Sequence, residues 1–364
     1  MNFEGEKFEV DVLVSEDHDL YHASSALSGL AQLANRGSVV LGFRQDGAME
    51  SRARALIRLD VRNSSGARRK VTIDFADKAE WFSIPTLEQS DVYFKRSFVA
   101  DVTCTLPLDQ RRRIVPYGLN FASLHPLAVR PHLRIARSLF AQSLSTQRSK
   151  SLNSALQKFI YRAKLAYGIP PATAFESSAF KAPAKPNKGT VVLQTRLWPP
   201  QTGSEDLESV NTERILLVKT LKLNLGHQFI GGITPDRFSQ AHCPVDYLIR
   251  NAMNMRAYAR IVKNANIGVY TRGLHHSLAF KMAEYLAAGL CIVSEPLVHE
   301  LPVPLREGIN YLLFRNPDEC LAQCRRLLSH SDEAARMRSA NLEYYRNWVE
   351  PAAHMWNVLK RTFD

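Results

Sequence analysis

Residues 267–296 read I-G-V-Y-T-R-G-L-H-H-S-L-A-F-K-M-A-E-Y-L-A-A-G-L-C-I-V-S-E-P. The apolar, β-branched start of this stretch, residues 267–270, predicts a short buried strand. The polar residues 271–276 predict a loop. Gly289 is a natural helix stop, and the apolar run 290–294 behind it predicts the next buried strand. The stretch therefore has the order of a βαβ crossover, with its loop at the carboxyl end of the first strand.

A helix is expected between this loop and the second strand, running from Ser277 to about Ala288. Ser277 is a suitable N-cap residue. Apolar side chains fall at helical spacing on one side; they are Leu278, Met282, Tyr285 and Leu286. Ligands of doubly wound sheets bind at the carboxyl ends of the strands, and the free N–H groups at a helix start suit a phosphate. We therefore expect a ligand site where the loop meets the helix.

Two polar residues, Lys281 and Glu284, interrupt the otherwise apolar helix. They are three positions apart and therefore share a face of the helix. One interpretation is an ion pair on the protein surface. The other uses the lysine for a diphosphate and the glutamate for the hydroxyl pair of a sugar, because a carboxylate accepts two hydroxyl hydrogen bonds.

The segment K-x-x-E-Y-x-A-x-G at residues 281–289 resembles the donor-binding segment of GT-B glycosyltransferases. The segments V-Y-T-R-G-L-H-H-S at 269–277 and V-S-E-P at 293–296 resemble a bacterial subgroup of that family, and E-G-I-N at 307–310 matches a further segment of it. The resemblance covers most of residues 190–345 and extends weakly into the first half. It implies an α/β fold of GT-B architecture, with two Rossmann-like domains facing across a cleft.

The resemblance also implies roles for individual residues. In this family the glutamate at position 284 holds the ribose of a nucleotide-sugar, and the loop before it faces the diphosphate. Many retaining members carry a second glutamate where this chain has His276, so a retaining outcome is not implied. We take His276 as a candidate catalytic residue. The donor-binding candidates are Arg196, Arg272, Gly273, His275, Ser277, Lys281 and Glu284.

Arg196 directly follows the predicted strand 190–195, which would open the second domain. The resemblance implies that the loop after this strand lies at the donor phosphates. The alternative for this side chain is a salt bridge to Glu205 or Asp206. A helix with Asn211 as its N-cap is expected next, ending at Gly226.

The first half of the chain is less regular. Residues 10–14 and 39–43 predict strands, with a helix over residues 21–36 between them. The runs 55–61 and 70–75 alternate apolar and polar residues and predict an antiparallel pair.

The loop after the first predicted strand carries several titratable groups: Asp17, His18, Asp19 and His22. One of them could remove a proton from an acceptor hydroxyl, with Asp19 and His18 as the preferred candidates. The alternative is that the acidic residues only stabilise the start of the following helix.

Composition predicts a two-domain chain of 364 residues. We place an N-terminal acceptor-side domain at 1–180, a linker at 181–189, a nucleotide-sugar-binding domain at 190–345 and a helix crossing back at 346–364. The five cysteines have no disulfide-like spacing, and the polar N-terminus argues against a signal peptide, so a cytoplasmic protein is expected.

The net charge of +12 requires an explanation in terms of partners or solvation. No zinc-finger spacing, helix-turn-helix signature or aromatic-basic RNA motif accompanies it, so nucleic acid is not the expected partner. Anionic nucleotide-sugars fit the charge, as does contact with an anionic membrane surface at the inner face of the membrane. A solvated surface without a partner also fits.

The function expected from these observations is transfer of a hexosyl group from a nucleotide diphosphate sugar to a hydroxyl of a glycan or lipid-linked saccharide, in surface polysaccharide synthesis. No metal and no cofactor are expected, because the D-x-D triplet at residues 17–19 lies away from the predicted donor site. Two alternatives stay open: a sugar-nucleotide epimerase of the same fold, and a non-catalytic binding subunit.

Overall fold

The computed structural model describes residues 5–14, 21–45, 55–123, 180, 189–249 and 255–364. These residues form two β-sheets with helices packed on them. His18 and Asp19, residues 124–179 and most of the expected linker lie outside the described residues. The domain boundaries given above therefore stay predictions.

The first sheet has six strands in the order β2-β1-β3-β4-β5-β6. β1 pairs in parallel with β2 and antiparallel with β3, and β3 pairs antiparallel with β4. The expected antiparallel pair is thereby confirmed. The strands are β1 (Phe8–Val14), β2 (Val39–Gln45), β3 (Leu56–Asn63), β4 (Arg68–Asp74), β5 (Val92–Lys95) and β6 (Ile114–Pro116).

The helices of the first half are mostly short. The longest described one, α1 (Ser24–Asn35), buries a continuous face on the first sheet, although it begins three residues later than expected. The remaining helices of this part are α2 (Ile84–Glu88), α3 (Ala100–Thr103) and α4 (Leu108–Arg111).

The second sheet is entirely parallel, with the order β11-β10-β9-β7-β8. Its central strands are buried along their whole length, as expected for a sheet covered on both faces. The strands are β7 (Val191–Thr195), β8 (Phe229–Ile233), β9 (Ile267–Tyr270), β10 (Cys291–Ser294) and β11 (Leu312–Leu313). Gly231 of β8 is required by packing, because a Cβ there would lie 1.8 Å from the carbonyl oxygen of Leu193.

Helices lie between most of the consecutive strands of the second half and follow its last strand. They are α5 (Leu207–Leu225), α6 (Arg237–His242), α7 (Met255–Asn264), α8 (Lys281–Ala287), α9 (Pro317–Ser329) and α10 (Ser331–Tyr344). No helix in the described part of the chain has both the length and the apolar character needed to cross a membrane.

The last helix, α11 (Pro351–Arg361), leaves the second half and packs against α1. Trp356 meets the ring of Phe8 edge-on at 5.5 Å between centroids. Gly29 of α1 permits this approach, because a Cβ there would lie 2.1 Å from the carbonyl oxygen of Pro351. The core of the first half is therefore completed by the end of the chain.

Two expected helix starts are wrong. The crossover helix begins at Lys281 and not at Ser277, whose backbone is extended. Leu278 is nevertheless buried, so the apolar spacing there reflects a buried loop. Asn211 lies inside α5 instead of capping it. Its side chain accepts from the N–H of Trp198 and donates to that residue's carbonyl, each at 2.8 Å.

Candidate functional site

The carboxyl ends of β7 and β9 and the first turns of α8 bring most of the predicted site residues to one edge of the second sheet. Glu284 is only 7% exposed on α8. The hydroxyl of Tyr258 donates a 2.8 Å hydrogen bond to its Oε2. Burial raises the pKa of the Glu284 carboxyl, and Lys281 and the bond from Tyr258 oppose that shift. The interpretation of this glutamate as a member of a surface ion pair is therefore wrong.

Lys281 lies one turn before Glu284 and is partly exposed. Burial lowers the pKa of its ammonium group to about 8; Glu284 opposes the shift, and Arg214 and Arg196 add to it. The side chain thus stands among other cations, with one carboxylate nearby. Such a site has excess positive charge and favours an anionic ligand.

Arg196 directly follows β7, and its side chain is exposed. Its guanidinium stacks on the ring of Trp198, with the guanidinium carbon 3.7 Å from the ring centroid. The described ion pairs do not include the salt bridge to Glu205 or Asp206 that was the alternative for this residue. Stacking fixes the guanidinium plane and leaves its edge available to a ligand.

Arg214 of α5 was not singled out in the sequence. It is 5% exposed and donates to the carbonyl oxygens of Arg196 at 2.7 Å and Arg272 at 2.6 Å. One side chain therefore joins the ends of β7 and β9. Burial lowers its pKa to about 10, with Glu295 opposing the shift. The sequence offered one signal for Arg214: a positively charged residue stands on the side of the helix that otherwise carries apolar residues.

Arg272 lies in the loop after β9, but its side chain is engaged by carboxylates. Its Nη1 is 2.6 Å from Oε2 of Glu213 and 3.4 Å from Oε2 of Glu295. Its backbone N–H also donates to Glu295 at 2.8 Å. Neither glutamate was singled out in the sequence. The spacing of apolar and polar residues does not reveal that Glu295, directly after a strand, is buried.

The rest of this loop is a tight turn. His275 and His276 both have φ of 57°, a left-handed conformation that is costly for residues other than glycine. Asp206 helps to hold the turn, because its Oδ1 accepts from the N–H of His275 at 3.3 Å. Gly273 packs closely on Ser277, since a Cβ there would lie 2.3 Å from the Ser277 Oγ. The His276 side chain is exposed, whereas Ser277 is buried.

Residues of the first half contact the segment just before Lys281. The rings of Tyr21 and His22 each lie 5.4 Å from the ring of Phe280, centroid to centroid. Nη1 of the buried Arg96 lies 3.4 Å from the carbonyl oxygen of Leu278. His18 and Asp19 lie outside the described residues, but the chain that continues from them reaches the site at Tyr21. Within the described residues no group of three potential metal ligands occurs.

A family model described as "Glycosyl transferase-like" matches residues 216–357. No curated protein matches the sequence. Among solved structures, WaaG, a glycosyltransferase involved in lipopolysaccharide biosynthesis, is 12% identical with a TM-score of 0.38, covering 74% of this chain and 63% of its own. Sucrose-phosphate synthase from Thermosynechococcus elongatus is 11% identical with a TM-score of 0.36, covering 92% and 91%.

A UDP-GlcNAc 2-epimerase from Neisseria meningitidis is 12% identical with a TM-score of 0.36, covering 76% of this chain and 62% of its own. This chain thus spans less than two thirds of the length of WaaG and of the epimerase. At such identities and TM-scores no activity is transferred from these structures. The match of residues 216–357 to the family model and the two α/β halves agree with the resemblance of residues 281–289 to the donor-binding segment of GT-B glycosyltransferases.

Proposed function

We propose that this protein transfers a hexosyl group from a nucleotide diphosphate sugar to a hydroxyl of a glycan or lipid-linked saccharide, in surface polysaccharide synthesis. The observation that carries the proposal is the buried carboxylate of Glu284 beside the Lys281 ammonium, at the carboxyl edge of a parallel sheet. A buried acceptor next to a cation suits a ligand that carries both hydroxyls and phosphates.

Glu284 would bind the ribose of the donor. Its Oε2 is held by the Tyr258 hydroxyl, and no described residue donates to its Oε1. A carboxylate in this position can accept hydrogen bonds from both hydroxyls of a ribose. The bond from Tyr258 fixes the carboxylate plane before the ligand arrives, which reduces the entropy lost on binding.

Lys281 and Arg196 would bind the diphosphate. The lysine is a flexible point charge, whereas the stacked guanidinium offers planar donors to phosphate oxygens. Backbone at Gly273 and Ser277, with His275 beside it, would line the same side of the ligand. Arg272 would act at this site through its ion pairs, which fix the loop after β9.

During transfer, an oxygen of the acceptor hydroxyl forms a bond to C1 of the sugar as the bond from C1 to the diphosphate oxygen breaks. The acceptor proton passes to a base, for which Asp19 and His18 are the first candidates and His276 the next. The negative charge that develops on the leaving diphosphate would be stabilised by Arg196 and Lys281. These cations supply the charge that a metal ion provides in metal-dependent transferases, so the proposed reaction uses no metal and no cofactor.

A lipid-linked acceptor would be met at the inner face of a membrane. The proposal therefore includes peripheral membrane contact through the positively charged surface, and it includes no nucleic-acid partner.

The proposal is tested by incubating the protein with a panel of nucleotide-sugars, with and without a glycan acceptor. Thermal stabilisation by one nucleotide-sugar, and release of the free nucleoside diphosphate only when the acceptor is present, are the expected results. An altered sugar formed without acceptor would establish epimerisation instead. Binding without any conversion would establish a non-catalytic binding subunit.

A further inference from the structure

A cavity of about 300 Å³ lies beside the loop that carries His276. Loops after β9, β10 and β11 form its walls together with α5. None of the residues that line it belongs to the first half of the chain. Its volume is at the lower end of the range for small-molecule pockets, enough for a single sugar ring.

The most buried polar side chain that lines this cavity is a carboxylate. The side chain of Glu295 is 9% exposed, and its Oε2 accepts from the N–H and Nη1 of Arg272 at 2.8 and 3.4 Å. No described residue donates to its Oε1. The terminal nitrogens of Arg272 are already engaged, because Glu213 accepts from both of them. On the carboxylate side, the atom that no described residue engages is Oε1 of Glu295, whereas the buried Nε of Arg272 also has no hydrogen-bond partner.

The other walls are mainly apolar. Phe314 and Leu217 are buried at 3% and 2% exposure, and Pro296 and Pro317 complete this side. Carbon-bound hydrogens of a pyranose ring pack well on such a surface while its hydroxyls reach the carboxylate. Arg315 is a cation on the outer rim, where it is exposed to solvent and its charge is screened.

Resting on the proposed function, we propose that this cavity receives the transferred hexosyl ring and that Glu295 selects a neutral ring against one that bears a carboxylate. The Oε1 atom of Glu295 accepts a hydrogen bond from a ring hydroxyl. A uronic acid would place a third carboxylate against Glu295 and Glu213, whose two negative charges already exceed the single positive charge of Arg272 that pairs with them. Repulsion between like charges at short distance is a strong determinant of specificity.

The test compares three ligands that share one base: UDP, UDP-glucose and UDP-glucuronate, or GDP, GDP-mannose and GDP-mannuronate, according to which diphosphate binds. Calorimetry should show that the neutral sugar adds to the affinity of the diphosphate and that the uronate does not. In Glu295→Gln the preference for the neutral over the acidic sugar should fall by about tenfold or more.

A second variant avoids any change in the ion pairs. Val298 lines the cavity and is 48% exposed, so Val298→Trp fills the cavity without disturbing the core. It should reduce the affinity for the neutral nucleotide-sugar to that of the free diphosphate, which should itself bind as in the wild type. Ile309→Trp is the control, because Ile309 is 47% exposed and does not line this cavity.

The outcomes separate the two proposals. The inference is wrong if the diphosphate binds but neither variant has its expected effect. In that case Glu295→Gln keeps the wild-type preference for the neutral over the acidic sugar, and Val298→Trp keeps the affinity that the sugar adds to the diphosphate. If no nucleotide binds to the wild-type protein, the proposed function itself is wrong and the inference is overturned with it.

Discussion

Glu284 combines burial with a free carboxylate oxygen, and the first prediction concerns this residue. Glu284→Gln keeps the shape of the side chain but removes its charge. Loss of a charged hydrogen bond to the ribose should weaken nucleotide binding roughly 10- to 100-fold, as measured by calorimetry. Glu208→Gln, an exposed change on α5, is the control and should bind like the wild type. Wild-type affinity in Glu284→Gln would remove the ribose assignment.

Lys281 carries a prediction about pH. Burial lowers its pKa to about 8, so in the free protein its charge is present below pH 8 and is lost above it. Diphosphate binding should therefore be strongest below pH 8 and weaken as the pH rises towards 9.5. Lys281→Arg keeps its charge throughout this range and should show a much flatter profile. Equal pH dependence in both proteins would show that Lys281 does not contact the phosphates.

At the scale of elements, Arg214 joins two strand ends through its hydrogen bonds to the carbonyls of Arg196 and Arg272. Arg214→Met removes both donors and leaves two carbonyl groups without their partner. We expect a loss of about 3 kcal/mol in the free energy of unfolding, measured in urea. Arg214→Lys can restore one bond and should lose less. Equal stability of all three proteins would mean that the strand ends are held by other contacts.

The elements also show what sequence patterns can and cannot specify. Strand 267–270 was predicted at its observed bounds, because a short apolar run between turn residues has few alternatives. The start of α8 was misplaced because a buried loop and an amphipathic helix can show the same apolar spacing. Arg214 and Glu295 were missed because the burial of a charged side chain depends on partners distant in sequence.

At the scale of the whole molecule, the contact between α1 and α11 joins the beginning of the chain to its end. Alanine normally stabilises the interior of a helix relative to glycine by roughly 0.5–1 kcal/mol. Gly29→Ala should have the opposite sign, because the new Cβ would overlap the carbonyl oxygen of Pro351. A lower midpoint in urea is the expected result. A higher midpoint would mean that α11 can shift away from α1 at little cost.

The position of α11 also has a consequence for the order in which the protein is made. The β-strands of the first half leave the ribosome early, yet Trp356 and Leu359 belong to the same apolar core as Phe8 and Leu30. Until translation reaches the last helix, that core lacks a wall and its apolar surface faces water. The core of the first half therefore stays incomplete until nearly the entire chain has been synthesised.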